Sequence, residues 1–593
     1  MPGRPKSLKL LAGLLVLLQI GMPLVAAALP QGGQVAGGQA TIQQASPQNL
    51  HIQQGSDRAI LNWQQFSIAS GETVQYFQPS VNSVALNRVI GADPSVILGQ
   101  LLANGRVFLI NPNGILFGAG AVVNVGGLLA TTLRIQDSDF MAGRYSFAQD
   151  PTGVLKAVIN KGEIHVSDHG FVVLVAPGVA NEGLIVANLG TAVLGSGERL
   201  VLDLMGDGLI NYAISGKVLE QVKGPDGTPL SSAVRNSGTI QADGGKVIME
   251  AKASNDIFAS VVNQSGIVRA RSLINHGGTV KLIGGDETLA VMTEAGAMRP
   301  AGEVGGVVSN TGTIDVSAAE AGAASGSVLL VGERVGQLGL IDARGADNAR
   351  GGDVVITSSE RTLLSNDSLT DVSGVGNSSA GTVRVWSDRD TFFTAGSTIL
   401  ARGGETGGNG GFVEVSGKDN LGFAGFVDAL APYGTVGTLL LDPTNITVAI
   451  GGAATLVQVD QFADPDCVAG GCTIAPATIN AAAANVVLQA NNDITISNAI
   501  AMAGAGLTLT VQAGRSINVN ANVSTNNGAI SLTANDPGAT LAGRSAGAGD
   551  IIMAAGTTIN AGNQNITLTI GNLVGGTPGS ITADGLTTTG NML

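Results

Sequence analysis

The residues of this chain best suited to chemistry are four histidines, two cysteines and a scatter of carboxylates, and their spacing decides what they can do. His165 and His169 flank Asp168, which gives three metal-binding side chains in five residues. Residues four apart lie close together on one face of a helix, but the neighbouring residues here alternate like a strand, along which four residues span about 13 Å. Solvated loop residues are therefore the expected reading. Gly543-Arg544-Ser545-Ala546-Gly547 has the letters of a nucleophile elbow. Every histidine (His51, His165, His169, His276) precedes it, so the order serine, acid, histidine cannot be made and the match is taken as chance. Asp203, Asp207 and Asp226 suit calcium by type, but not by the spacing of an EF-hand or a glycine-aspartate nonapeptide. The expectation is a non-enzymatic protein with no catalytic residue, no metal and no cofactor. One enzyme class stays open, a polysaccharide lyase or hydrolase whose carboxylates a repetitive fold assembles from distant segments.

Cys467 and Cys472 enclose Val-Ala-Gly-Gly. In an exported protein they either close a small loop as a disulfide or stay as two thiols, and the Gly-Gly turn favours the disulfide. Export is indicated by the first 28 residues. Arg4, Lys6 and Lys9 precede the apolar run Leu10 to Ile20, then Pro23 and Ala26-Ala27-Ala28. This is the pattern of a secretory signal peptide with cleavage after Ala28. A retained anchor is the alternative, disfavoured by the interruptions at Gln19, Gly21 and Pro23. No later segment is long and apolar enough to span a membrane as a helix.

Composition narrows the elements that must position these groups. Aromatic residues are 3% and charged residues 12%, while glycine contributes 87 of 593 residues. Hydrophobic residues reach 44%, so the chain can bury a core, one built from small aliphatics and therefore narrow. A formal net charge of -14 argues against a nucleic-acid partner. Two phrases recur. One is Asn-x-Gly-x-Ile, at Asn160, Asn181, Asn236 and Asn310, with a lengthened copy at Asn263-Gln264-Ser265-Gly266-Ile267. The other is Gly-Gly before a strand, at Gly244, Gly277, Gly351 and Gly410. Intervals near about 20 to 30 residues, or twice that, are those of a β-solenoid. One coil cannot bury its own inner face, and stacked coils can. The expected fold is all-β, a right-handed parallel β-helix with extra-helical loops or hairpins; crossover chirality sets the hand. At about 20 to 25 residues per coil it would have some two dozen coils and a length near 100 Å. Arg199 to Pro229 breaks the rhythm and is expected outside the helix.

The most specific feature is Asn111-Pro112-Asn113-Gly114-Ile115, between the apolar runs Val107 to Ile110 and Ile115 to Phe117. Pro112 presets φ, and Asn113 and Gly114 tolerate left-handed conformations, so a tight turn between two buried strands is expected. Its longer frame includes Asn62-Trp63-Gln64-Gln65-Phe66-Ser67-Ile68, Leu86-Asn87-Arg88-Val89-Ile90-Gly91 and Asn104-Gly105-Arg106. With the signal peptide, this frame resembles the amino-terminal secretion domain of two-partner secretion exoproteins, the filamentous haemagglutinin and high-molecular-weight adhesin group. Residues Asn111 to Ile115 match that family's motif throughout. The resemblance implies recognition of the turn by a dedicated outer-membrane β-barrel transporter and passage through the periplasm of a Gram-negative bacterium. It also implies a secreted or surface adhesin whose partners are host or neighbouring-cell glycans or proteins. Binding of a host haem-carrier protein is the other reading the family implies.

The expected organisation is a signal peptide (1–28), a secretion domain (29–271), a β-helix continuation (272–441) and an Ala-, Asn- and Thr-rich repeat region (442–593). The close at Asn591-Met592-Leu593 carries no recognisable toxin domain or cap, so a fragment or an atypical cap is expected.

Overall fold

The computed structural model describes residues 29–204, 210–225, 227–254, 256–291, 298–365, 367–450, 473–541 and 544–593. Strands account for 54% and helices for 2%, so the all-β expectation holds. Each circuit of the chain lays down three short strands, and each strand pairs in parallel with its counterparts one circuit before and one after. Arg106–Ile110 lies between Val84–Val89 and Gly127–Thr131. Ile115–Phe117 lies between Ser95–Ile97 and Ala157–Asn160. Val122–Val125 lies between Gln100–Ala103 and Glu163–Val166. This is the parallel β-helix.

The alternation of the strands now has a cause. On the first face, register carries Ala59 through Ala85, Val107 and Leu128 onward to Leu509, Ile530 and Ile566, an unbroken buried aliphatic row. Seventeen strands stack in that row, spanning about 80 Å at one strand spacing per rung. The count falls short of two dozen because part of the chain runs outside the helix. Segments 132–156, 197–231 and 285–306 each leave at the corner between the first and second faces.

Two of those excursions build a second layer. Tyr145–Ala148, Arg199–Asp203 and Asn211–Ser215 form an antiparallel sheet, preceded by the short helix Asp137–Met141. The expected departure after Arg199 is thus a hairpin. Beneath it, the outward positions of the first face are apolar in register: Ile60, Leu86, Phe108, Leu129, Val173, Val193 and Ile248. They form a second core with Phe140, Tyr145, Phe147, Leu200, Leu202 and Ile214. Phe171–Ala176 is therefore buried on both sides, and its unbroken apolar run replaces alternation. At the other end, Gln34–Gly37 and Ala40–Ser46 pair antiparallel with Arg58–Trp63 and Asn49–Gln54.

The Asn-x-Gly phrase marks the corner between the second and third faces. Asn160 Nδ2 donates to Asn181 Oδ1 at 2.8 Å, Asn181 Nδ2 to Asn236 Oδ1 at 2.7 Å, and Asn236 Nδ2 to Gln264 Oε1 at 2.7 Å. In the lengthened copy Gln264, not Asn263, holds the ladder position. Gln337, three residues before Leu340, continues it by accepting from Asn310 Nδ2 at 2.8 Å, a copy hidden by its Gln-Leu-Gly spelling. The glycines are not there for left-handed geometry, since none of Gly162, Gly183, Gly238, Gly266 or Gly312 has positive φ. A Cβ on Gly183 would sit 2.1 Å from Gly162 O, and one on Gly238 would sit 2.1 Å from Gly183 O. Close stacking of one corner on the last excludes any side chain.

Candidate recognition turn at Asn111 to Ile115

The expected turn between two buried strands forms, as a corner of the β-helix. The strands it joins, Arg106–Ile110 and Ile115–Phe117, lie on different faces and do not pair with each other. Gly114 N donates to Asn111 O at 3.1 Å, so Pro112 and Asn113 are the central turn residues. Of the two residues expected to tolerate left-handed conformations, Gly114 takes φ +107° and Asn113 keeps negative φ. Ile115 is wholly buried and pairs with Ser95 and Val158.

The asparagines act as structural clamps. Asn111 is fully buried. Its Nδ2 donates to Asp93 O (2.9 Å) and Ser95 Oγ (3.0 Å), and its Oδ1 accepts from Asn113 N (2.9 Å) and Asn113 Nδ2 (3.2 Å). Asn113 Nδ2 donates to Gly91 O at 2.9 Å. Asn111 N donates to Thr131 O of the following coil at 3.1 Å. The turn therefore ties its own coil to residues 91–95 before it and to Thr131 after it.

The rest of the frame converges one rung back. Trp63 Nε1 and Tyr76 Oη both donate to Asn87 Oδ1, at 2.9 and 2.5 Å, with all three residues buried. Burial pushes the Tyr76 phenol well above its ordinary value, which keeps its proton available as donor. Arg88 points outward, donating to Ile135 O at 3.0 Å and pairing with Asp137 at 2.6 Å. Asn62 to Ile68, Leu86 to Gly91 and Asn111 to Ile115, read separately along the chain, thus form one continuous block. The partners Asp93 and Ser95 were missed by sequence reasoning; the Asp93-Pro94-Ser95 turn was their only local signal. The block contains no nucleophile and no acid–base pair. Its chemistry is amide hydrogen bonding, with Pro112 and Asn113 half-exposed at the surface.

The other candidates scatter. His165 Nε2 lies 3.3 Å from Glu163 Oε2 on the third face, while His169 sits at the next corner and meets His276, not His165. Asp203 ends a strand of the extra-helical sheet; Asp207 and Asp226 lie outside the described residues. Ser545 N donates to Asn492 Oδ1 at 3.0 Å within a surface loop. Ala28, Cys467 and Cys472 also lie outside the described residues.

Residues 26–299 match the TPS secretion domain. A heme/hemopexin-binding protein of Haemophilus influenzae strain Rd is 32% identical over 268 residues, 44% of this chain and 28% of that protein. A second Haemophilus influenzae protein of the same name is 28% identical over 274 residues, 43% of this chain and 28% of that one. The chain thus spans little more than a quarter of the length of these relatives. The solved HMW1 secretion domain from Haemophilus influenzae superposes with a TM-score of 0.51 at 28% identity, over 69% of this chain and all of that one. With its β-helix and the Asn111 corner in place, residues 26–299 of the chain form a TPS secretion domain, the domain that two-partner secretion exoproteins carry.

Proposed function

We propose that this protein is a non-enzymatic adhesin-type exoprotein, exported through a dedicated outer-membrane barrel transporter that reads the Asn111 to Ile115 turn. The observation that carries the export step is the secretion-domain match over residues 26–299. In the folded protein the Asn111 amide is wholly buried and its donors and acceptor are all engaged. A transporter that reads Asn111 must therefore do so before this coil closes, and closure of the coil outside the cell then removes the signal. That order makes export one-way. The adhesive role is supported by shape, a rod of about 80 Å with flat faces of in-register side chains. Clefts along it have ion-paired charges. Lys252 is held by Glu250 at 3.2 Å and Asp286 at 2.7 Å, and Glu182 by Lys161 and Arg235.

The test is co-expression with a partner barrel. Asn111→Ala and Asn113→Ala should leave the precursor inside the cell, and normal export of both would end the targeting role. Binding of the mature protein to cell monolayers and a glycan array, run beside a polysaccharide-degradation assay, then separates adhesin from lyase. A second reading, capture of a host haem-carrier protein, is favoured by the name of the two relatives. Pull-down of hemopexin by the mature protein tests it.

A further inference from the structure

Of the four histidines in this chain, two have partners that account for them. His51 lies edge-on to Phe77 at 5.3 Å, and His165 meets Glu163. The other two, His169 and His276, are 107 positions apart in sequence and come together with ring centroids 6.3 Å apart.

Their meeting is built into the corner that precedes the first face. Ser167 to Gly170, Ala187 to Gly190 and Ala242 to Gly245 stack there. Gly170 N bonds Ser167 O, Gly190 N bonds Ala187 O and Gly245 N bonds Ala242 O. His169, Leu189 and Gly244 occupy the same place in each, all with positive φ, and each N–H donates to the corner that follows. On the fourth rung the corner is enlarged to residues 271–277. Leu273 and His276 exchange both backbone hydrogen bonds, at 2.9 and 3.0 Å, and Asn275 turns at φ +64°. The enlarged corner folds back over Gly244, where a Cβ would stand 3.1 Å from Leu273 Cδ1 and 3.3 Å from His276 Cβ. Gly244 thus gives His276 room to reach across two rungs toward His169.

Both imidazoles are exposed, and neither ring nitrogen has a hydrogen-bond partner among the described residues. The nearby Asp243 is committed to Arg269, at 2.8 and 3.2 Å, and to the Arg271 N–H. Nitrogen ligands at about 2.0–2.1 Å from one ion put two ring centres roughly 5 to 6.5 Å apart, for angles from tetrahedral to linear. We infer that His169 and His276 form a bidentate imidazole site for a borderline divalent transition-metal ion, Cu2+ before Zn2+ in affinity. No third protein ligand joins them among the described residues, so water completes the coordination.

The experiment is calorimetric titration of metal-stripped mature protein with Cu2+ and with Zn2+, alongside His169→Ala, His276→Ala and His165→Ala. The wild type and His165→Ala should bind one Cu2+, Zn2+ more weakly, and each of the other variants should lose at least 30-fold in Cu2+ affinity. Electron paramagnetic resonance of the Cu2+ form should show two imidazole nitrogens. Unchanged binding in His169→Ala or His276→Ala, or a single coordinated nitrogen, overturns the site.

Discussion

Replacing Asn111 by alanine separates the structural work of the turn from its role in export. The side chain makes contacts at 2.9 and 3.0 Å to Asp93 O and Ser95 Oγ, and accepts the Asn113 N–H at 2.9 Å. Each hydrogen bond is worth about 1 kcal/mol net, and the buried Ser95 hydroxyl and the half-buried Asn113 N–H then lose partners at about 1 kcal/mol or more each. The expected loss is about 3–5 kcal/mol. Asn113→Ala removes the 2.9 Å bond to Gly91 O and the 3.2 Å bond to Asn111 from a half-exposed position, and should lose about 1 kcal/mol. Equilibrium urea unfolding reads both. Trp63 is buried two rungs from the turn, so its fluorescence in a Trp386→Phe background reports this end of the rod. Should Asn111→Ala unfold within about 1 kcal/mol of the parent, or no earlier than Asn113→Ala, the clamp account is wrong. If export is read from the unfolded chain, the two variants should nevertheless fail alike in secretion while differing in stability.

Gly238→Ala places a Cβ 2.1 Å from Gly183 O and should cost at least about 3 kcal/mol by thermal or urea unfolding, whereas Ser237→Ala beside it should stay within about 0.5 kcal/mol. Phe147→Ala, in the core beneath the extra-helical sheet, should cost about 3–5 kcal/mol and raise dye binding to exposed apolar surface; an unchanged melting temperature would mean that this layer adds nothing. Glu414 is buried, with Ser416 and Arg384 only partly offsetting the loss of water around its carboxylate. Burial, then Asp442, pushes its carboxyl up to about 8, and Asp442 is itself raised to about 7 by burial. Because the folded form holds its proton to higher pH than the unfolded chain, stability falls as pH rises from about 4.5 toward 8. Glu414→Gln should flatten that fall, with its melting temperature level with the parent near pH 4 and above it at pH 8. An equal slope in both proteins counts against the assignment.

The fold was legible because its grammar is local. Asn-x-Gly and Gly-Gly recur where one corner stacks on the next, and alternating aliphatics recur where a strand has one wet face. Legibility ended where a copy changed its letters. Gln264 and Gln337 do the work of asparagine with one more methylene, so a search for Asn found the wrong residue in one copy and nothing in the other. The role of the Asn-x-Gly glycines was not legible either, since a residue that permits a turn and one that permits close approach look the same in sequence.

By itself, then, the sequence determined a stacked β architecture, an exported class and the turn at Asn111 to Ile115. These follow from residue types repeated at short range. The tertiary structure alone decided which residues meet. Asn111 finds Asp93 and Ser95, Trp63 and Tyr76 share Asn87, Phe147 covers Phe108, and His169 meets His276. Contacts along a β-helix join one rung to the next, and the chain between rungs varies from about 20 residues to more than 50 as excursions come and go. Separation in sequence therefore carries no measure of separation in space until the rungs have been counted.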